Sequence, residues 1–316
     1  MNTEDQEAKE TVSIKGRQIT VDSNLIDGKI IVVTGNLLKI AGIKDEICDD
    51  GVSSPQNVIK ELKKLRKADL FTFDQKVPDT KPRFEFYYEW DNFAVLHITS
   101  FEYWWSKQIH NDARRMVRKA AKSGIVAKVV PFDDDLVKGI KGIYDETPLR
   151  QGRPFWHYRK DFQSVKKENS TYLERAEFIG AYLENELVGF DKVFYTGTRA
   201  DQIQLLSKIK YRDKSSTNAL IAKAIEVCAE KGITHMTYGK YFYGKKKDDS
   251  LSEFKKRNGF ERVDIPRYYV PLTLKGKIAL KLGLHKRLIE FVPSFLVDRL
   301  LDMRTKFYTI KYSRYV

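Results

Sequence analysis

The sequence is poor in anything that would hold a metal, a disulfide or a membrane span. Its two cysteines, Cys48 and Cys228, lie in an Ile-rich and an Ala-rich stretch. Thiols this sparse read as core residues of a protein kept in a reducing compartment. The five histidines, at positions 97, 110, 157, 235 and 285, never approach metal-ligand spacing, so no metal is expected. No uninterrupted apolar run nears the roughly 20 residues of a membrane-spanning helix. The opening MNTEDQEAKE is acidic and polar, the reverse of a secretory leader. A dinucleotide-binding Gly-x-Gly-x-x-Gly and a nucleophile elbow are both missing. Gly239 to Lys246 keeps the spacing of an ATP-binding phosphate loop until its last residue, where Lys246 replaces the Ser or Thr that would hold Mg²⁺. Tyr241, Phe242 and Tyr243 inside that stretch oppose a tight backbone cradle, and ATP binding is not expected.

What the chain does have is a core and a positive charge. Of 316 residues, 42% are apolar and 12% aromatic, which excludes wholesale disorder and allows two domains or one elaborated domain. Lys and Arg outnumber Asp and Glu by 57 to 43, and the formal net charge is +14. The excess is concentrated in two stretches. Residues 107–128 hold Lys107, Arg114, Arg115, Arg118, Lys119, Lys122 and Lys128 against Asp112 alone. Residues 271–316 hold ten Lys and Arg against Glu290, Asp298 and Asp302. Either these are solvated helix faces, or they form a surface for phosphate-bearing partners such as CoA, RNA or anionic lipid. The composition fits a soluble, cytoplasmic protein with anionic partners.

Periodicity places the elements. Residues 1–12 read as a frayed tail, and Lys29–Val33 as a buried strand ending at Thr34-Gly35. Val58, Ile59, Leu62 and Leu65 make a helical stripe after Ser53-Ser54-Pro55. Phe71, Phe73 and Phe84–Leu96 point to further strands. Lys107–Ser123 is expected as one helix stopped by Gly124, followed by a strand at Ile125–Val130 and a helix at Asp134–Tyr144. FIGAYL and LVGFDKVFY form a hairpin about Glu184-Asn185-Glu186. A strand at Gln202–Ile209, a helix at Ser215–Glu230, a strand at Ile233–Tyr238 and a short helix at Leu251–Arg257 follow. Beyond Pro271 come amphipathic helices broken at Pro293.

Two loops stand out chemically. Ser207–Thr217 lies between a strand and a helix start, where unpaired N–H groups and the helix dipole favour an anion. Lys210, Arg212 and Lys214 add charge there, and Ser215, Ser216, Thr217 and Asn218 add polar donors. Helix capping would account for one of these hydroxyls, but not for three alternating cations. The second loop, RQGRPFWHYR, packs Arg150, Arg153, Arg159, His157 and the aromatics Phe155, Trp156 and Tyr158 into ten residues. Either Arg150, Arg153, Trp156 and Tyr158 bind a substrate with phosphate and flat surfaces, or the aromatics pin the loop into the core. With an unperturbed pKa near 6.5 in a polar loop, His157 is the general-base candidate.

The unit from Phe178 to Tyr238 resembles the central part of the GNAT acyltransferase superfamily, where such a strand–loop–helix junction holds the pyrophosphate of acyl-CoA. That superfamily's Arg-x-x-Gly-x-Gly appears here as Arg212-Asp-Lys-Ser215-Ser-Thr217, with both glycines lost. ARRMVRKAAKSGIVAKVV, NALIAKAIEVCAEKGITHMTYG and LSEFKKRNGF look like the FemAB branch, which includes peptidoglycan-bridge aminoacyltransferases. The resemblance covers roughly residues 84–272. It implies an α/β fold: a GNAT-like mixed sheet flanked by helices, in two lobes with the first reduced. The boundaries expected are a tail at 1–12, lobes at 13–100 and 101–272, and a basic helical extension at 273–316. It further implies transfer of an acyl or aminoacyl group from acyl-CoA or aminoacyl-tRNA to an amine, with Lys255 polarising the acyl carbonyl. Tyr238, ending the strand beside the donor, would return a proton to the leaving group. The alternative is a non-catalytic protein of this fold that binds RNA or an anionic membrane. In the tail, an apolar stripe of Leu288, Ile289, Phe291, Phe295, Leu296, Leu300 and Phe307 is expected to dock on the domain and leave a basic rim. The rim would draw the protein to acidic membranes in a salt-sensitive way, without insertion.

Overall fold

The computed structural model describes residues 8–14, 17–244, 249–286 and 292–312. Its strands are β1 (Ala8–Ile14), β2 (Arg17–Ile26), β3 (Lys29–Thr34), β4 (Ile40–Ile43), β5 (Leu70–Asp74), β6 (Tyr88–His97), β7 (Ile125–Val130), β8 (Leu149–Arg150), β9 (Arg153–Pro154), β10 (Ala176–Leu183), β11 (Glu186–Thr196), β12 (Arg199–Ser207), β13 (His235–Lys240) and β14 (Glu261–Pro271). Its helices are α1 (Pro55–Leu65), α2 (Phe101–Tyr103), α3 (Asn111–Lys122), α4 (Asp134–Tyr144), α5 (Phe162–Asn169), α6 (Ser216–Glu230), α7 (Ser250–Arg257), α8 (Leu274–Lys281) and α9 (Ser294–Tyr312). They form two compact units, residues 1–92 with 264–292 and residues 93–263 with 293–316.

In the first unit the strand order is β1-β2-β3-β4-β5-β14, antiparallel except for the β4–β5 pair. Ala8–Ile14, whose residues 8–12 are read from sequence as tail, pairs along its whole length with β2. Helix α1 sets Val58, Ile59 and Leu62 against Ile31, Ala41, Phe71 and Phe73. Across β14, Arg267 donates to Glu46 and to Asp74. Burial, helped by the charge of Glu46, pushes the Asp74 carboxyl up to about 8.

In the second unit the order is β13-β12-β11-β10-β7, with residues 93–97 of β6 beside β13. All pairs are antiparallel except β12–β13. Helices α3 and α6 cover one face: Ala113, Ala120, Leu220, Ile221, Ala224, Ile225 and Cys228 pack on Ile179 and Val193. Helices α4 and α5 cover the other, with Leu136, Val137, Ile140 and Val165 on Phe178 and Phe190. Strands β10 and β11 are thus buried on both faces, which is why they read as continuous apolar runs.

The helix expected over Lys107–Ser123 starts later. Trp104 is fully buried and its indole N–H donates to the Asn258 carbonyl at 2.9 Å, which holds a π-helical turn at Trp104–Gln108. Ile109 is extended, and the His110 ring accepts from Asp112 N to begin α3. Strand β12 begins earlier than expected, because Arg199 and Asp201 are hidden as a buried ion pair at 2.9 Å. The tail expectation also changes. Leu296, Leu300 and Phe307 of α9 are 40%, 57% and 60% exposed. What packs on the unit is the opposite side of α9, with Val297 buried and Thr305 against Gly152. Of the other stripe members, Leu288, Ile289 and Phe291 lie outside the described residues. No described helix is long and apolar enough to cross a membrane.

Candidate functional site

Parallel strands β12 and β13 are paired only at Arg199–His235, Ala200–Met236 and Asp201–Thr237. Beyond them β12 stays with β11 as far as Ser207, while β13 shifts register against β6 between Thr237 and Lys240. The two strands therefore part, and the split opens beside Tyr238. Helix α7 delivers Lys255 to this place. Its start is fixed by a capping box between Asp249 and Ser252. The Lys255 side chain has no solvent exposure. Its Nζ donates to the Lys240 carbonyl at 2.6 Å and lies 4.7 and 4.9 Å from the ring centres of Tyr238 and Tyr243. Burial lowers this ammonium to about 8, against the opposing pull of Asp249. Burial also pushes the Tyr238 hydroxyl up, so it is a proton donor throughout the neutral range. Of the stretch with phosphate-loop spacing, residues 239–244 belong to this place, and Lys245 and Lys246 lie outside the described residues. Gly239 has φ +57, and a Cβ on it would meet the Tyr243 hydroxyl at 2.6 Å. Its glycine thus serves the packing of an aromatic cage around lysine.

At the far end of β12 the loop residues Ile209–Lys214 form a short turn and Ser215 takes φ +59, ψ +33 before α6. Where the superfamily pattern has its first glycine, a serine adopts the glycine-like conformation. This left-handed residue directly precedes the N–H groups of the first turn of α6. Ser207 and Thr217 hydroxyls bond each other at 2.9 Å, and Ser215 Oγ donates to Met116 Sδ at 3.4 Å. The second contact lays basic helix α3 alongside the loop, with Arg115 and Lys119 exposed one turn apart on the same helix. Arg212 is exposed and Lys214 half-buried. Lys210 turns its ammonium over Tyr211, 5.1 Å from the ring centre. Ser216 and Asn218 are buried, and Asn218 reaches Asn258 at 3.4 Å, tying α6 to the end of α7.

The Arg150–Arg159 loop is joined to this turn by a residue the sequence did not single out. Glu146 accepts from the N–H groups of Ile209 and Lys210, each at 2.7 Å, and from Arg150 at 3.2 Å. Arg150 also donates to the carbonyls of Ser207 and Ile143. Arg150 is thereby a clamp on the loop rather than a free ligand. Arg153 and Trp156 remain exposed, and Tyr158 is half-buried. His157 stacks on Tyr144 with ring centres 4.4 Å apart, and its Nδ1 is 3.4 Å from Glu168. Burial, with the charge of Lys160, lowers it to about 4. It packs in the α4–α5 layer, whereas Tyr238 belongs to the α3–α6 layer, so the sheet separates it from Lys255. The structure gathers Lys255 and Tyr238 and leaves His157 apart.

No family model and no curated protein matches the sequence. Among solved structures, the chain is similar to FemX, with a TM-score of 0.57 at 11% identity over 87% of this chain and 90% of that one. It is also similar to L-PGS from Bacillus licheniformis, with a TM-score of 0.55 at 16% identity over 84% and 90%. The fold is GNAT-like, of the FemAB type.

Within the second unit one further buried titratable residue, on β11, was missed. Asp191 on β11 is fully buried; Gln202 donates to its Oδ2 at 2.5 Å, and its Oδ1 has no hydrogen-bond partner among the described residues. Burial raises it to about 7, and its charge in turn raises Tyr238 and Cys228. The available signal was the Asp-Lys pair in the middle of LVGFDKVFY, since charges in a doubly covered strand require a reason. Its neighbour Lys192 turns to the other face and donates to the carbonyls of Asn169 and Thr171. Among the described residues no group of His, Cys, Asp and Glu could hold a metal ion.

Proposed function

We propose that this protein is an N-acyltransferase that moves an acyl or aminoacyl group to an amine, in the cytoplasm and at the inner face of the membrane. The observation that carries the reading is the solvent-free lysine at the β12–β13 split, caged by Tyr238 and Tyr243 with an anion-receptive loop at the end of the same β12. In the reaction the acceptor nitrogen attacks the acyl carbonyl. A C–N bond forms, the C–S or C–O bond of the donor breaks, and the amine proton passes to solvent water, from which Tyr238 is reprotonated after it has protonated the leaving group. Lys255 polarises the carbonyl as negative charge builds on its oxygen. Tyr238 gives a proton to the departing thiolate or alkoxide. Arg212, Lys214 and the N–H groups at Ser216 and Thr217 hold the donor's phosphate, with Lys210 at the rim. Arg153, Trp156 and Tyr158 offer a polar-aromatic surface for the acceptor, an amino group on a cell-envelope precursor.

Between acyl-CoA and aminoacyl-tRNA we favour the second. The contact of Met116 with Ser215 extends the cationic surface from the loop onto α3, beyond the reach of one pyrophosphate. Loss of the loop glycines and the +14 charge equally favour a protein that binds RNA or membrane without catalysis. Nuclease-treated protein assayed with each donor separates these readings. Transfer from aminoacyl-tRNA alone supports our choice, and transfer from acyl-CoA alone reverses it. Tight RNA binding without transfer from either donor establishes the non-catalytic alternative.

A further inference from the structure

Helix α9 presents an apolar face to solvent. Leu296, Leu300, Met303, Phe307 and Ile310 are 40%, 57%, 60%, 60% and 75% exposed. Their steps of four and three residues align them in one narrow stripe along the helix. Its docked side is accounted for, since Val297 is buried and Thr305 packs on Gly152 between β8 and β9. A contiguous exposed stripe of large apolar side chains marks a surface meant for something else.

The residues edging the stripe say what. At 100° per residue, the exposed Arg299 and Lys306 border it on one side and the exposed Lys311 on the other, while Asp302 lies farther round. A second copy offering the same face would set cations against cations on both borders, which opposes pairing. An anionic bilayer supplies both an apolar depth for the stripe and negative head groups for its borders, with the long cationic side chains reaching up to them. We infer that α9 is an interfacial helix that buries Leu296, Leu300, Met303, Phe307 and Ile310 in an anionic lipid bilayer. This deepens the membrane placement proposed above and rests on it. Because the stripe is exposed rather than docked, attachment includes shallow insertion, so salt weakens it without abolishing it.

Flotation of the full chain with vesicles of phosphatidylglycerol and phosphatidylcholine, against phosphatidylcholine alone, tests this. The wild type binds the anionic vesicles and keeps part of that binding at high salt. Leu300→Ser with Phe307→Ser lowers the binding constant by about tenfold or more per side chain. Arg299→Glu with Lys306→Glu lowers it by roughly fivefold or more per charge. All four side chains are exposed, so thermal unfolding is unchanged and lost binding is not misfolding. In α8, Leu274, Ile278 and Leu282 are also exposed among Lys275, Lys277 and Lys281, so Leu274→Ser with Ile278→Ser is the comparison. Anionic binding that survives both α9 variants, or is lost only in the α8 variant, overturns the role of α9 and leaves the membrane placement standing. Failure of the wild type to bind overturns both. A dimer in solution that the Leu300→Ser, Phe307→Ser variant dissociates assigns the stripe to a second copy instead.

Discussion

Lys255 is a cation placed where a cation is costly, and its consequences can be read in pH. Its folded pKa, about 8, lies below the ordinary 10.5. Between these values the unfolded chain holds a proton that the folded chain has released, so stability rises as pH goes from 8 to 10.5. The rise is roughly 3 kcal/mol at most, and Lys255→Met flattens it in urea titrations across that window. In assays the same variant lowers turnover by about 10²–10³ and leaves donor affinity nearly unchanged, because the carbonyl is polarised mainly in the transition state. Activity within a few-fold of wild type would remove Lys255 from the chemistry. Asp191 has the opposite sign. Its folded pKa of about 7 exceeds the ordinary 3.8. The folded chain therefore keeps a proton that the unfolded chain loses, and stability falls as pH rises from 3.8 to 7. Asp191→Asn removes this dependence and is more stable than wild type above pH 7; equal melting temperatures at pH 8 would contradict it.

At the scale of elements, the turn into α6 carries a serine in a conformation that glycine takes more readily. A serine at φ +59 bears about 1–2 kcal/mol of strain that glycine avoids, partly offset by the chain entropy glycine loses on folding. Ser215→Gly is expected to gain roughly 0.5–1 kcal/mol in denaturant titrations while donor affinity is unchanged. Destabilisation instead would mean that the Ser215–Met116 contact, rather than the backbone, fixes the turn. Glu146 belongs to the same element-level design. By occupying the Ile209 and Lys210 N–H groups, it fixes the loop's entry.

For the whole molecule, the charge excess acts through placement. The second unit sets the basic helix α3 beside the Lys210–Lys214 turn, so cations about 100 residues apart in sequence share one surface. If that surface binds tRNA, affinity falls steeply with salt. Arg115→Ala, Lys119→Ala and Arg212→Ala should each reduce the slope of log affinity against log salt by about one. Slopes equal to wild type would place the RNA elsewhere or exclude it.

The sequence by itself determined the elements whose signals are local. Asp134–Tyr144 has an Asp cap and an apolar stripe, and Ile125–Val130 lies between Gly124 and a polar turn, so each is fixed by its own residues. The hairpin and α6 were legible for the same reason, and their order carried the likeness to GNAT folds. Tertiary structure decided what depends on distant partners. Arg199 and Asp201 look like loop residues until each neutralises the other inside the sheet. His157 looks like a base until Tyr144 and burial hold it neutral. The apolar stripe of α9 looks like core until Thr305 is seen docking on Gly152 with its other side. A sequence fixes which faces a helix has, but which of them meets the domain is settled by the shape waiting for it. The same holds for Lys255, which stands in sequence between Phe254 and the cations Lys256 and Arg257. Only the parting of β12 from β13, with two tyrosines brought to its ammonium, takes away its water.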